Sequence, residues 1–294
     1  MKKFFTVFLL IAALLIPLGA AAYDFEAGGI YYNITGSNTV SVTYYNKSVG
    51  TDYTGNVVIP STVTKNGVTY TVTAIGDYAF SRCPVTSVTL PNSITSIERN
   101  AFQNCTSLTS ITIPDNVTKI SLQAFEGCTA LSEVNLGNGL LTIGPWAFMS
   151  CTSLTSIEFP ASVTTIGGSA FNGCSALTSV TCWATTPPTI TSYTFDPNHY
   201  ANATLAVLPS AITAYQNDEN WGNFVSIQSA RNYDFMVDGI YYVVTDANCV
   251  SVTRKDSNGH TYSGEVIIPE TVTYDGVTYT VTRIGANAFT QCPT

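Results

Sequence analysis

The 294-residue sequence is poor in charge and nearly without histidine. Asp, Glu, Lys and Arg make up 10% of it, against about 25% in an average soluble protein. Lys and Arg number 11 against 19 Asp and Glu, a formal net charge of −8. So little positive charge leaves no basic stripe to displace counterions from phosphates, which argues against nucleic acid as a partner. The two histidines, His199 and His260, sit in polar stretches with no nucleophile motif nearby. Gly167-Gly168-Ser169-Ala170-Phe171 fails G-x-S-x-G at its last position. His199, three residues after Asp196, reads as a solvated loop imidazole. No C-x-x-C pair, His-rich segment or acidic calcium loop occurs. The expectation is therefore no catalytic residue, no metal and no cofactor. Hydrophobic residues are plentiful at 45%, which excludes intrinsic disorder.

Long apolar runs are missing after the first 22 residues. Lys2 and Lys3 precede an apolar run from Phe4 to Leu18, and Ala20-Ala21-Ala22 fits a cleavage site. Residues 1–22 read as a signal peptide, with Tyr23 as the mature start. Without Lys2 and Lys3, 9 basic groups face 19 acidic ones, about −10. No later segment is long enough to span a bilayer as a helix. The mature chain is expected outside the cell, where disulfides are permitted. Five N-x-S/T sequons, at Asn33, Asn46, Asn104, Asn116 and Asn202, are read as products of a Thr-rich composition, because the Met-Lys-Lys start looks bacterial.

The dominant signal is a repeat. Ala-Phe-x-x-Cys ends at Cys83, Cys105, Cys128, Cys151 and Cys174, in steps of 22, 23, 23 and 23 residues. A second ladder, Val85, Leu108, Leu131, Leu154 and Leu177, is spaced by 23 throughout. In one unit, Leu108-Thr109-Ser110-Ile111-Thr112-Ile113-Pro114 reads as a short strand ended by proline, and Val117 and Ile120 form a second apolar stretch. Each unit points Leu, Ile and Phe inward, and successive strands are expected in one parallel ladder about 4.8 Å apart. One unit cannot bury enough surface to fold alone.

The L-x-x-I-x-I strand with its Cys-bearing turn resembles a leucine-rich repeat. Ile75-Gly76 before Ala79-Phe80, Ile143-Gly144 before Ala147-Phe148 and Ile166-Gly167 before Ala170-Phe171 narrow the resemblance to the BspA-like family. It covers residues 55 to 185 closely. Glu98 and Ser121 depart from the Gly, and Gly137 and Trp183 depart from the strand-ending Pro. The resemblance implies a leucine-rich repeat solenoid of the α/β horseshoe class, β-dominated, with short parallel strands, turns, short helical segments and β-rich N-terminal caps. It also implies a bacterial surface adhesin that binds host matrix proteins and promotes co-aggregation.

Residues 23–82 read as a β-rich cap and first coil, and residues 83–185 as the repeat array. Alternation from Val40 to Tyr44 predicts a strand. Thr62 to Tyr70 predicts a hairpin, because Asn66-Gly67 accepts the positive φ of a type I′ turn. Residues 186–230 read as a degenerate last coil and C-terminal cap. Phe195 falls 24 residues after Phe171 and Asn198 falls 24 after Cys174, at the ladder positions. Pro209 to Asn217 predicts a short helix, with Trp221, Phe224 and Ile227 covering the open end. Residues 231–294 then restart the cap. Tyr233-Asp234-Phe235 repeats Tyr23-Asp24-Phe25, Gly264 to Pro269 repeats Gly55 to Pro60, and Asp275-Gly276 replaces Asn66-Gly67. This copy reaches Ala288-Phe289 and Cys292, so the sequence reads as truncated, with Ile284 and Phe289 on an open edge.

The five ladder cysteines are expected to be buried, free thiols, because parallel neighbours rarely reach disulfide geometry and five cannot pair fully. Spacing leaves Cys182 and Cys249 open. The third and fifth strand positions point outward, so the predicted binding face carries Ser110, Thr112, Glu133, Asn135, Ser156 and Glu158, flanked by Ser87, Thr89, Ser179 and Thr181. Glu133 and Glu158 are the only acids on the repeat strands and are expected to be diagonal neighbours about 8 Å apart. That separation would suit an inverting glycosidase, but nothing else in the sequence forms a sugar cleft. The expected function is a secreted or cell-surface protein that holds extracellular proteins or glycoproteins and catalyses nothing. The alternative is a carbohydrate- or glycoprotein-binding module in nutrient capture.

Overall fold

The computed structural model describes residues 23–45, 52–255, 262–289 and 292. The signal segment 1–22, the Asn46 sequon and His260 lie outside the described residues.

The first region alternates aromatic or β-branched residues with polar ones. It forms β1 (Phe25–Ala27), β2 (Ile30–Ile34), β3 (Thr39–Thr43), β4 (Gly55–Val58), β5 (Thr62–Lys65) and β6 (Val68–Ile75). β1, β2 and β3 are antiparallel, and β3 then pairs parallel with β6. The β5–β6 hairpin turns through Asn66 at φ 51° and Gly67 at φ 81°, the left-handed pair expected of Asn-Gly.

Each repeat supplies two strands. The chain runs through β7 (Val85–Thr89), β8 (Ser96–Ile97), β9 (Ser110–Thr112), β10 (Lys119–Ile120), β11 (Glu133–Asn135), β12 (Thr142–Ile143), β13 (Ser156–Phe159), β14 (Thr165–Ile166) and β15 (Ser179–Cys182). The even-numbered two-residue strands are the second apolar stretch of each unit. They pair parallel, with Ile97, Ile120, Ile143 and buried Ile166 in register, and extend the sheet from β6.

Between the two strand files lies the Ala-Phe-x-x-Cys turn. Phe80, Phe102, Phe125, Phe148, Phe171 and Phe195 stack in one file, with centroids 4.9, 5.0, 5.1, 5.4 and 5.3 Å apart and planes within 12° of parallel. All six are fully buried. The residue before each Ala takes a left-handed backbone, including Asn100, Gln123, Trp146 and Ser169 at φ 55–57°. That conformation is unfavourable for a residue with a Cβ. Hydrogen bonds between coils hold it: Phe102 N donates to Ala124 O and Phe125 N to Ala147 O, both at 2.7 Å.

The ladder cysteines are buried as expected. Their thiols donate to phenylalanine carbonyls of the preceding coil: Cys128 to Phe102 at 3.1 Å, Cys151 to Phe125 at 3.3 Å and Cys174 to Phe148 at 3.2 Å. Burial disfavours the thiolate and pushes Cys174 up to about 12. Cys182, left open by the sequence, is a buried thiol accepting from the Tyr215 hydroxyl at 3.0 Å.

Past Cys182 the chain forms α1 (Pro197–Asn202), β16 (Thr204–Val207), α2 (Ile212–Asn217) and β17 (Ser226–Ser229). Pro209 opens a 3-10 turn immediately before α2. Phe195 continues the stack, while Trp221 and Phe224 pack against it at 5.7 and 5.3 Å. Trp221 is fully buried and its Nε1 donates to Pro188 O at 2.7 Å.

Two sequence expectations fail in this segment. Asn198 is exposed and does not occupy the cysteine position. His199 is buried, 1% exposed, and is not a solvated loop imidazole. Asp196 heads α1, and its backbone N–H donates to His199 Nδ1 at 3.1 Å. The proton therefore sits on Nε2, 2.9 Å from Cys174 O, which it satisfies. A ring that can accept at one end and donate at the other serves a buried helix start better than a hydrated loop.

The second β-region comprises β18 (Phe235–Val237), β19 (Ile240–Asp246), β20 (Cys249–Thr253), β21 (Thr271–Tyr274) and β22 (Val277–Ile284). Its pairings repeat those of the first region, and its hairpin turns through Asp275 at φ 50° and Gly276 at φ 76°. It has its own core around Phe235, Tyr242, Val250 and Val252.

Candidate functional site

The longer repeat strands present a face built by strand alternation. On β9, β11 and β13 the residues Ile111, Val134, Ile157 and Phe159 are buried, while Thr112, Glu133, Asn135, Ser156 and Glu158 are exposed and Ser110 is half-buried. Glu133 stands beside Ser110 and Asn135 beside Thr112. Across the next pair, Ser156 stands beside Ser179 and Glu158 beside Thr181.

The expected single ladder is divided. Four strands run in the order β11-β9-β7-β4 and four in the order β13-β15-β16-β17. Among the described residues, β11 and β13 belong to different sheets. Two features coincide with the opening. Gly137 replaces the strand-ending proline, and the turn it enters lies directly on the previous coil. A Cβ on Gly137 would come within 2.5 Å of Pro114 O, so only glycine fits. Asn138 N and Nδ2 donate to Asp115 Oδ1 at 2.7 and 3.3 Å, tying this turn toward β9 and away from β13. At the sixth strand position, half-buried Leu136 is followed one coil later by the larger Phe159, whose ring stands steeply inclined to Phe171 and Trp221.

The opening is a cavity of about 310 Å³. Glu133, Asn135, Ser156 and Glu158 line it together with Pro160 and Trp183. Ser110 and Thr112 line a separate cavity of about 320 Å³ with Ser87 and Thr89. The structure thus brings together four of the six sequence-predicted residues and sets the other two apart. Asn135 Nδ2 donates to Glu133 Oε1 at 2.9 Å, and Trp183 Nε1 donates to Glu158 Oε2 at 3.4 Å.

Trp183 is the site residue that strand alternation did not predict. Its signal was its place in the file Pro91, Pro114, Gly137, Pro160 and Trp183, where every other member is small or cyclic. Asn138, Pro160 and Trp183 also line an adjoining cleft of about 440 Å³, shared with Arg231, Asp234 and Tyr274 of the second β-region. There the Arg231 guanidinium lies 4.9 Å from the Trp183 ring centre and 4.4 Å from that of Tyr233. Ser210 N and Oγ donate to Asp234 Oδ1 at 3.2 and 2.9 Å, joining the repeat array to the second region. No group of three or more metal-ligating side chains occurs among the described residues, and none of their helices is long and apolar enough to cross a membrane.

A family model for the BspA type leucine rich repeat region matches residues 73–202 in six copies. Among solved structures, a leucine-rich repeat protein of T. pallidum is 32% identical, with 53% of this chain and 70% of that chain covered and a TM-score of 0.47. A leucine-rich repeat protein from Bacteroides ovatus is 26% identical, with 72% and 69% covered and a TM-score of 0.50. No curated protein matches the chain. The 23-residue period, the paired files of parallel strands and the six matched copies together carry one conclusion: the chain belongs to the BspA-type leucine-rich repeat family.

Proposed function

We propose that the protein is a secreted or cell-surface binding protein that holds extracellular proteins or glycoproteins on the face of its longer repeat strands. In this reading the repeats wind into a solenoid of the horseshoe class. Residues 23–82 form its N-terminal cap and first coil, 83–185 the array, and 186–230 a degenerate coil and end cover. Residues 231–294 form a second cap copy, and residues 1–22 are the export signal. Ser110, Thr112, Glu133, Asn135, Ser156 and Glu158 form the binding row, with no catalytic step and no cofactor.

The observation that carries the reading is the strand face itself. Exposed polar side chains stand in register over a hydrophobic core, and the face opens into cavities at two places. Small Ser, Thr and Asn side chains rarely act as binding hot spots, and Trp183 is the one aromatic at the opening. Single-site affinity is therefore expected to be weak, with adhesion depending on many copies.

An array of matrix proteins and glycans probed with residues 23–294 tests this. The double variant Glu133→Lys/Glu158→Lys should lose at least about tenfold in affinity for the best partner at an unchanged melting temperature. Undiminished binding would move the site off this face. A best partner that is a neutral glycan would favour the nutrient-capture alternative.

A further inference from the structure

The cavity between β11 and β13 has an unbalanced charge. Glu133 and Glu158 both line it, and no Lys, Arg or His does. Among the described residues neither carboxylate makes an ion pair. Their hydrogen-bond partners are neutral donors, Asn135 on one and Trp183 on the other. An ionised carboxylate has about four acceptor positions, so each retains unused capacity. The Trp183 ring borders the same space. The Arg231 guanidinium lies over that ring at 4.9 Å from the adjoining cleft, while the indole Nε1 donates to Glu158 on the cavity side, so the ring meets the opening as wall and donor.

We propose that this opening is a pocket for one lysine or arginine side chain of a basic protein partner. The proposal rests on the strand-face reading and adds to it the charge of the partner. Two carboxylates supply charged acceptors, and Trp183, Val134, Leu136 and Pro160 supply apolar wall for the methylene stem. A volume of about 310 Å³ lies at the small end of ligand cavities, about 300–1,000 Å³, which suits one long side chain rather than a polymer segment. A neutral sugar offers neither carboxylate a charge to pair with. The formal charge of −8 also draws a positive partner in from a distance.

The test measures binding of a fluorescent octalysine peptide at low salt to the intact chain, with octaglutamate and chitohexaose as comparison probes. Octalysine should bind and weaken as salt rises. Glu133→Gln/Glu158→Gln should cost about tenfold in affinity and Trp183→Leu about threefold, while Glu219→Gln, exposed and remote from the cavity, should change nothing. If Trp183→Leu lowers the melting temperature, Trp183→Phe, which keeps an aromatic ring but no Nε1 donor, should restore most of the binding. Octalysine that binds the double Gln variant as well as it binds Glu219→Gln would overturn the proposal, because general attraction to an acidic chain would then explain it. Chitohexaose binding that depends on Trp183 while octalysine binding does not would also overturn it. Ser110→Arg/Thr112→Arg, on the same face beyond the opening, separates the two readings. Array partners lost in that variant but kept by the Gln and Leu variants would leave the face reading standing and remove the pocket. Octalysine that follows the pocket variants, with array partners indifferent to both sets, would leave the pocket standing and remove the face.

Discussion

Residues 23–83 and 233–292 carry related sequences and differ in structure where the first has a neighbour. Gly55–Val58 is strand β4, paired with β7, whereas Gly264–Ile267 forms no strand. Ile75 is fully buried and its counterpart Ile284 is 56% exposed. Phe80 lies between Tyr53 at 4.5 Å and Phe102 at 4.9 Å, whereas Phe289 has Tyr262 at 4.8 Å. The antiparallel strands and the hairpin form in both copies. Local alternation and a two-residue turn therefore suffice for the hairpins, while Gly55–Val58 is a strand where β7 stands beside it.

The largest effect should separate the two phenylalanines. Phe80→Ala removes a fully enclosed ring and is expected to cost about 3–5 kcal/mol, and Ile75→Ala about 2–5 kcal/mol. Phe289→Ala should cost less than half as much as Phe80→Ala, and Ile284→Ala at most about 0.5 kcal/mol. Urea midpoints with hydrogen exchange at each region would measure this, and equal costs in the two copies would break the comparison.

Thiols should divide next. In native protein at pH 8, iodoacetamide is expected to label the half-exposed Cys249 and Cys292 at least about a hundredfold faster than Cys105, Cys128, Cys151 and Cys174, a gap of about 2.7 kcal/mol. Burial raises the Cys174 pKa from its ordinary 9.0 to about 12. The unfolded chain thus loses its proton first, and the stability linked to this thiol is present below pH 9 and lost as pH climbs toward 12. Peptide mapping of native and denatured samples checks the order. Ladder thiols found linked, or labelled as fast as Cys292, would sink it.

The smallest effect should come from exchanging the turns. Asn66→Asp with Asp275→Asn keeps a left-handed-tolerant residue at both sites, so each midpoint should move by no more than about 0.5 kcal/mol. Gly67→Ala, at φ 81°, should cost about 1 kcal/mol or more.

These two regions also show what can be read from residues alone. Asn66-Gly67 and Asp275-Gly276 announce their turns because positive φ at both positions is a local demand. The 23-residue file of Leu, Phe and Cys announces the parallel strands. The two-residue strands such as Ser96–Ile97 are too short to show alternation, so only Val117 and Ile120 and their equivalents hinted at them. The left-handed backbone at Gln123 and Trp146 has no compositional mark, since bonds from the adjoining coil hold it. His199 departs from the solvated-loop expectation because polar neighbours conceal a ring that is buried. Of the site, the outward rows followed from strand period. The opening that gathers Glu133, Asn135, Ser156 and Glu158 around Trp183 did not, because it depends on how the Gly137 turn rests on the coil before it.

The phenylalanine file has a consequence for how such a molecule changes length over generations. Each ring rests on its equivalent about 5 Å away, so the unit of inheritance is one full turn of chain and has no privileged starting point. Unequal recombination that removes or duplicates 23 residues from any point between Phe102 and Phe171 returns ring to ring and thiol to carbonyl. A slip of one residue misplaces them all unless a loop absorbs it, as the stretch through Pro187 and Pro188 does for the 24-residue step from Phe171 to Phe195. Length changes in such an array are therefore expected in whole turns, with each exposed row free to change without disturbing the core beneath it.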